Sequence, residues 1–432
     1  MSPTTPTYKE GLRFWLQLGL ISFGGPAGQV AIMHDYLVEK KQWISNEKFL
    51  HALNYCMLLP GPEAQQLAIY TGWLLHGIRG GLTAGILFVL PATILLWALS
   101  AGYVYWGNLP VVQAGFEFLK PAIVAIVACS IIKIGKKSLH TLLHYMVAVA
   151  AFIALCFFNV SFPVIILASL LIGGLYSRFA NNRKSNQYPA LHSENKEPVV
   201  VISCETPSQP KIKTLIQGFV IAILLWMLPL ILLALLSDNY SFWKTMALFF
   251  TKAAFVTFGG AYAVLPYVAQ VSVEEYSWLS KAEMMDGIAL GETTPGPLII
   301  VLAFVGFMAG YHHAGATIGA ATIGLAITVW YTFLPSFLFI FAGAPWIERT
   351  NANPAVQSLL QFATAAVTGV IFSLCLYLGQ DVIFSASHHI QWPALIWVGI
   401  SFLALQFFRI NLLIWIALSL GLGICLYWAS LL

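Results

Sequence analysis

The chain has 432 residues, of which 59% are hydrophobic and 9% charged, and its mean hydropathy is +0.81. A soluble globular domain carries about 25% charged residues, so this chain cannot clothe a water-facing surface. It reads as an integral membrane protein, which excludes a cytosolic enzyme, a secreted disulfide scaffold and a nucleic-acid binder.

Six cysteines (Cys56, Cys129, Cys156, Cys204, Cys375, Cys425) follow no C-x-x-C or zinc spacing, and five lie in apolar stretches as small hydrophobic fillers. No H-E-x-x-H, Walker A or G-x-S-x-G pattern occurs, so neither a metal nor a cofactor is expected. Met1–Glu10 is polar and lacks the features of a cleavable signal, so the chain is expected to insert as it stands.

In chain order, the first two apolar stretches are interrupted. Gly11–Val38 is broken by Phe23-Gly24-Gly25-Pro26, and Lys48–Gly77 by Leu59-Pro60-Gly61-Pro62. A bilayer core of about 30 Å needs about 20 apolar helical residues. Each arm of these stretches is shorter than that and reads as half of a hairpin that reaches the midplane and returns. Irregular backbone at that depth is tolerated only where protein buries it or it lines a wet cavity. Full spans follow at Leu82–Tyr105, Val112–Ile134, Leu142–Phe158 and Phe162–Tyr176. Ser177–Lys213, polar and proline-containing, reads as a disordered, solvated linker. Leu215–Leu236 is a further span, and Ala314–Phe341, Ala355–Leu378, Pro393–Phe408 and Leu412–Leu431 complete a set of nine.

The interrupted pattern recurs. Adding 235 to Phe14, Phe23, Gly24, Gly25, Trp43, Ser45, Pro60, Gly61 and Pro62 gives Phe249, Phe258, Gly259, Gly260, Trp278, Ser280, Pro295, Gly296 and Pro297, all identical. Further on the offset is 244, pairing Pro91 with Pro335, Ala122 with Ala366 and Gly135 with Gly379, so the second copy carries extra residues, most simply near His312-His313. The chain divides into a first repeat (1–176), the linker (177–213), a connecting helix (214–240) and a second repeat (241–432). With the linker in the cytoplasm, only Lys120, Lys244, Lys252 and Lys281 among the basic residues fall on the other face. Four full spans per repeat and one between them then place the copies in inverted orientation, with the C-terminus opposite the N-terminus. Inverted repeats with broken helices are the architecture of secondary transporters, whose sites lie at the midplane. The expected fold is all-α and polytopic, in a cytoplasmic membrane, with four half-membrane hairpin regions; a homo-oligomer is compatible with it.

The breaks suggest the chemistry. Proline at the first helical position is pre-set for the helix, and glycine before it lets a ligand approach the backbone closely. Each break thus opens a half-helix whose free N–H groups and positive dipole end face the midplane, a ready anion site. One such break could be a simple kink; four at one spacing favour a site. The candidates are Gly24, Gly25, Pro26 and Gln29, Pro60, Gly61, Pro62, Glu63, Gln65 and Gln66, and in the second copy Gly259, Gly260, Thr293, Thr294, Pro295, Gly296 and Pro297. Glu63 and Glu292 flank the Pro-Gly-Pro breaks, either as proton-coupling groups, which an ionisable residue at such depth suggests, or as helix caps. Asp35 and Asp286 are weaker candidates for the same relay. Arg79 could draw anions to the cytoplasmic mouth or simply anchor the membrane interface. Lys120 and Glu117 suit a helix-end ion pair, Trp43 and Trp278 an interfacial aromatic belt, and His312-His313 and His388-His389 loops.

At these residues the sequence resembles the chromate ion transporter family, in its long two-repeat form. The matching strings are Phe23-Gly24-Gly25-Pro26 with Gln29, Trp43-Ile44-Ser45, and Leu59-Pro60-Gly61-Pro62-Glu63-Ala64-Gln65-Gln66-Leu67-Ala68. In the second copy they are Phe258-Gly259-Gly260, Trp278-Leu279-Ser280 and Glu292-Thr293-Thr294-Pro295-Gly296-Pro297. Ala261 replaces Pro26 and Leu298 replaces Glu63, so unequal contributions from the halves are expected. The resemblance implies export of chromate from the cytoplasm, driven by the membrane potential or proton gradient and conferring resistance, with sulfate as a related oxyanion. A carrier or channel for another anion, and an intramembrane enzyme acting on lipid phosphate, are the competing readings.

Overall fold

The computed structural model describes residues 6–23, 25–158, 160–180, 212–347, 354–384 and 389–431. Every regular element among them is helical, apart from one isolated antiparallel bridge between Phe384 and Ile390. Gly24, most of the linker and Cys204 lie outside the described residues.

Helix α1 (Tyr8–Ile21) opens with a capping box in which Thr7 and Glu10 satisfy each other's backbone N–H. It stops at Ser22, whose hydroxyl turns back onto the Leu18 carbonyl, a bond that competes with helix continuation. After the break come α2 (Gly25–His34), a π-helical turn (Asp35–Lys40) and α3 (Asn46–Cys56), which is capped by Ser45. Next, α4 (Glu63–Trp106) bends at His76 and Gly77, where the backbone leaves helical geometry. Helices α5 (Pro110–Ser138), α6 (Leu142–Phe158), α7 (Phe162–Ala180) and α8 (Ile212–Leu236) follow.

The same order of elements then recurs. Helix α9 (Tyr240–Val256) ends at Thr257, whose hydroxyl bonds back to Ala253 as Ser22 does to Leu18. There follow α10 (Ala261–Gln270), a π-helical turn (Val271–Glu275) and α11 (Lys281–Thr293), which is capped by Ser280. A short 3-10 turn (Leu298–Ile300) leads into α12 (Val301–His313), and α13 (Ile318–Ile347), α14 (Pro354–Ile383), α15 (Trp392–Gln406) and α16 (Leu412–Leu431) complete the chain. Even the residues with positive φ after the π turns correspond, Gln42 and Ser277, each at 50°. In the first copy α4 bends where the second separates α12 from α13 by the loop 314–317.

Several sequence expectations shift. The nine apolar spans are helical over most of their length, except at 314–317 before α13 and at Phe407–Phe408 after α15, but among the described residues six helices are long and apolar enough to cross a membrane: α4, α5, α8, α13, α14 and α16. Leu142–Phe158, Phe162–Arg178 and Trp392–Gln406 are shorter apolar helices. The linker is trimmed at both ends, because α7 runs on to Ala180 and α8 begins at Ile212. Trp43 and Trp278 form no interfacial belt: they are buried at 9% and 2% exposure, each among aromatic rings, Phe14 and Tyr36 around Trp43 and Phe249, Phe250 and Tyr276 around Trp278. Nor are His312 and His313 loop residues. They close α12, His312 contacting Glu283 at 2.9 Å and His313 the Ser277 carbonyl at 3.0 Å. Pro62 caps α4 and so does not occupy its first helical position, whereas Pro26 directly follows Gly25, whose φ of 75° lies outside the helical region.

Helix α8 shows how the surface is dressed. Phe219, Ile221, Leu224, Leu228 and Leu232 all point outward, an apolar face that hydrocarbon accommodates and water does not. Inside, small residues let helices touch. A Cβ added to Gly324 would overlap the Gly306 carbonyl, and one on Gly310 would lie 2.5 Å from the Ala320 carbonyl. This is the close approach that small-xxx-small spacing permits between membrane helices. Gly324→Val should therefore cost at least the ~1–3 kcal/mol typical of overpacking, seen as a lower melting temperature in detergent and reduced accumulation. Gly399→Ala, where a Cβ meets nothing within 4 Å, should leave both unchanged.

Candidate functional site

The breaks meet at the centre of the molecule. The Gly61 N–H donates to the Thr257 carbonyl at 2.7 Å, and the Gly296 N–H to the Ser22 carbonyl at 2.8 Å. Each Pro-Gly-Pro loop is thus held by the helix end that precedes the glycine pair of the other half. The glycine pairs also approach one another, since a Cβ built on Gly260 would lie 4.0 Å from Pro26 Cγ. Gly25 (φ 75°), Gly61 (118°), Gly259 (79°), Gly260 (97°) and Gly296 (98°) all adopt the left-handed region that favours glycine.

Around Gly61 the lining is polar. Its Cβ position lies 2.8 Å from Gln66 Nε2 and 3.2 Å from Ser336 Oγ of α13. Gln66 donates its amide to the Pro60 carbonyl at 2.7 Å, and Gln29 donates to the Gly296 carbonyl. What remains is a set of buried polar atoms with no hydrogen-bond partner among the described residues: both amide atoms of Gln65, Oε1 of Gln29 and of Gln66, and the hydroxyls of Thr332 and Ser336. A buried polar group left unpaired costs about 1–3 kcal/mol. Such a concentration beside a helix start marks a place built for a ligand or ordered water. Glu63, half-buried, is the first residue of α4. The first N–H groups of that helix have no acceptor within it.

The second half offers a different surface. At the 235 offset, Glu63, Ala64, Gln65 and Gln66 become Leu298, Ile299, Ile300 and Val301, all buried. A Cβ on Gly296 would lie 2.7 Å from that of Ala92 and 3.6 Å from the Phe88 carbonyl. At the 244 offset these two residues correspond to Ser336 and Thr332. The polar element of this half is Glu292, 7% exposed, whose Oε1 accepts the Tyr262 hydroxyl at 2.6 Å. Thr293 and Thr294 return their hydroxyls to Leu290 and Gly291, so they finish α11 rather than line an open space.

Other candidates lie apart from this centre. Asp35 is exposed and paired with Lys40 at 2.7 Å, and Arg79 is exposed just beyond the α4 bend. Lys120 does not pair with Glu117; it faces Asp286 across the halves at 3.8 Å. Thr332, Ser336 and Tyr262 escaped the sequence reading. The signal was there, since each breaks the internal correspondence with a polar residue opposite Phe88, Ala92 and Ala27.

The arrangement can receive an anion by hydrogen bonding, with neutral amides and hydroxyls supplementing a helix N-terminus. Among the described residues, no group of three or more His, Cys, Asp or Glu is placed to hold a metal.

A family model described as chromate transporter matches residues 10–174 and 243–424. A chromate transport protein of Cupriavidus metallidurans is 30% identical over 384 residues, covering 87% of this chain and 84% of that protein. A probable chromate transport protein of Synechococcus elongatus is 29% identical over 382 residues, covering 87% and 86%. An uncharacterized transporter of Bacillus subtilis is 26% identical over 159 residues, covering 36% of this chain but 89% of its own. No solved structure matches. With most of its length matched and both glycine-proline breaks built into one centre, this chain belongs to the chromate transporter family.

Proposed function

We propose that this protein is a secondary carrier that exports chromate from the cytoplasm, and that the anion is held at the first-half break. The observation that carries this reading is the cluster of buried, unpartnered donors where α4 begins: the Gln65 amide with the hydroxyls of Thr332 and Ser336. Gly25, Pro26 and Gln29 close the site from the α1–α2 side, and Gly24 belongs to the same break by sequence. Gly259, Gly260 and the Thr293–Pro297 segment support it from the second half. Glu63 and Glu292 are the proton-coupling groups of this reading, with Asp35 a weaker relay candidate at the surface, while Arg79 serves the cytoplasmic approach of the anion. Sulfate, also a tetrahedral dianion, is the expected competitor.

The carrier reading is tested in inside-out vesicles, which should accumulate labelled chromate when energised, lose the accumulation when the proton gradient is dissipated, and slow in excess sulfate. Vesicles that concentrate sulfate and ignore chromate would reverse the two substrates.

The site itself makes a second demand. Gly61→Val should abolish transport in protein that still inserts, because the added side chain meets Gln66 and Ser336 and forces a β-branched residue to positive φ. Gln65→Leu should raise the half-saturation concentration about tenfold, the value of one hydrogen bond to a charged ligand at ~1.5 kcal/mol. Normal transport by both variants would place the anion elsewhere.

The orientation follows from charge. The N-terminus and the 181–211 segment lie in the cytoplasm, and the C-terminus lies on the opposite face. In a variant whose only cysteine is Cys204, an impermeant thiol reagent should label disrupted cells but not intact ones. Labelling from outside would reverse the orientation.

A further inference from the structure

A second polar centre lies where the N-terminal part of α5 meets α11 and the start of α15. A cavity of about 350 Å³ is lined by Glu117 and Lys120 of α5, Ala282 of α11, Asp381 of α14, and Gln391 and Ala394 at the start of α15. This volume falls in the range of small-molecule sites, about 300–1,000 Å³. Lys120 is its functional feature. Its ammonium lies 3.8 Å from Asp286 Oδ1, well beyond the ~2.7–2.9 Å of a charge-assisted hydrogen bond.

Asp286 is 5% exposed and takes the Tyr103 hydroxyl on its other oxygen at 2.8 Å, while Oδ1 has no hydrogen bond among the described residues. The contact joins α4 and α5 of the first half to α11 of the second. A buried ion pair repays its desolvation only with excellent geometry, and this pair lacks it. Ionisable groups retained at membrane depth serve pathways by default.

The other charges around the cavity are accounted for. Asp381 is neutralised by Lys281 at 3.0 Å, and that ammonium also lies 3.8 Å from the Tyr377 ring centroid. Glu117 is exposed at the rim. On α11 itself Glu283 is engaged by His312 of α12 at 2.9 Å. Inside the cavity an anion would meet the Lys120 ammonium, the Gln391 side chain and the N-terminal turn of α15, whose first N–H groups have no acceptor within the helix, Pro393 itself contributing none.

We propose that this cavity is a second site for a tetrahedral dianion, distinct from the central one, in which Lys120 is the charged ligand and Asp286 is the carboxylate that holds Lys120 until the anion arrives. The inference rests on the carrier reading above and adds to it a station at the face carrying Gln391. There the anion and Asp286 compete for one ammonium, so the two acidic and basic partners must act in opposite directions. Lys120 binds the anion; Asp286 restrains it.

Labelled chromate exchange in right-side-out and inside-out vesicles measures half-saturation at each face. Lys120→Gln should raise the value at the face carrying Gln391 by about tenfold, within what a close charge contact supplies at a partly buried position, and leave the other face within about twofold. Asp286→Asn should lower the value at the same face, because it frees the ammonium. Since Lys120→Gln strands a buried carboxylate and can impair folding, the double variant Lys120→Gln with Asp286→Asn is measured alongside. It should accumulate normally and keep the raised value. If both single variants raise the value and the double variant restores it, the pair is a structural tie and the inference is overturned. If wild-type vesicles exchange chromate and neither variant alters either face, the cavity is no anion station, although the carrier reading stands. Wild-type vesicles that exchange neither chromate nor sulfate overturn both.

Discussion

Hydrocarbon offers no water to an unpaired amide, so a chain that interrupts its helices at mid-membrane must find partners for the interrupted backbone. Here the solution is reciprocal: the Gly61 amide uses the Thr257 carbonyl and the Gly296 amide uses that of Ser22. Each half supplies one donor and one acceptor, and neither half can satisfy its own loop. A half-length chain of this kind could complete both bonds only with a second copy. The positive φ values at the break glycines, the hydroxyls that stop α1 and α9, and the glycine contacts that draw α12 onto α13 all bring these two bonds into register.

Equal halves in the backbone do not make equal halves in chemistry. Where the first copy presents Glu63, Gln65 and Gln66 to Thr332 and Ser336, the second presents Leu298, Ile300 and Val301 to Phe88 and Ala92. One break is lined by polar groups and the other is packed by apolar ones. In the carrier reading proposed above, neutral donors suit release better than a cluster of arginines would, because an anion that must leave again cannot be held by fully desolvated charge. The second half keeps a single buried acid, Glu292, tied to Tyr262.

Much of this was legible in the sequence. The broken helices and the repeated Phe-Gly-Gly and Pro-Gly-Pro strings are local signals, written in residues with unusual backbone preferences, and the all-helical fold follows from them and the apolar runs. What was not legible depended on tertiary neighbours. Trp43 and Trp278 look like interface anchors until Phe14, Tyr36, Phe249 and Tyr276 are seen around them. Lys120 is three residues from Glu117, yet its partner, Asp286, comes from the other half. Thr293 and Thr294 offer hydroxyls on paper but spend them on their own helix. Thr332 and Ser336, on a long apolar helix, carry no local signal; only comparison with the first copy distinguishes them.

Helix α5 ties the two halves together. Its Lys120 faces Asp286 of α11, and its Ser138 hydroxyl meets that of Thr368 on α14 at 2.9 Å. Asp286 and Glu292 both ride on α11, six residues apart, or about 9 Å at 1.5 Å per residue. The first is met by Lys120 of α5 and Tyr103 of α4, the second by Tyr262 of α10. A shift of α11 along its axis therefore alters one acid's contact with the first half and the other acid's contact within the second in a single movement.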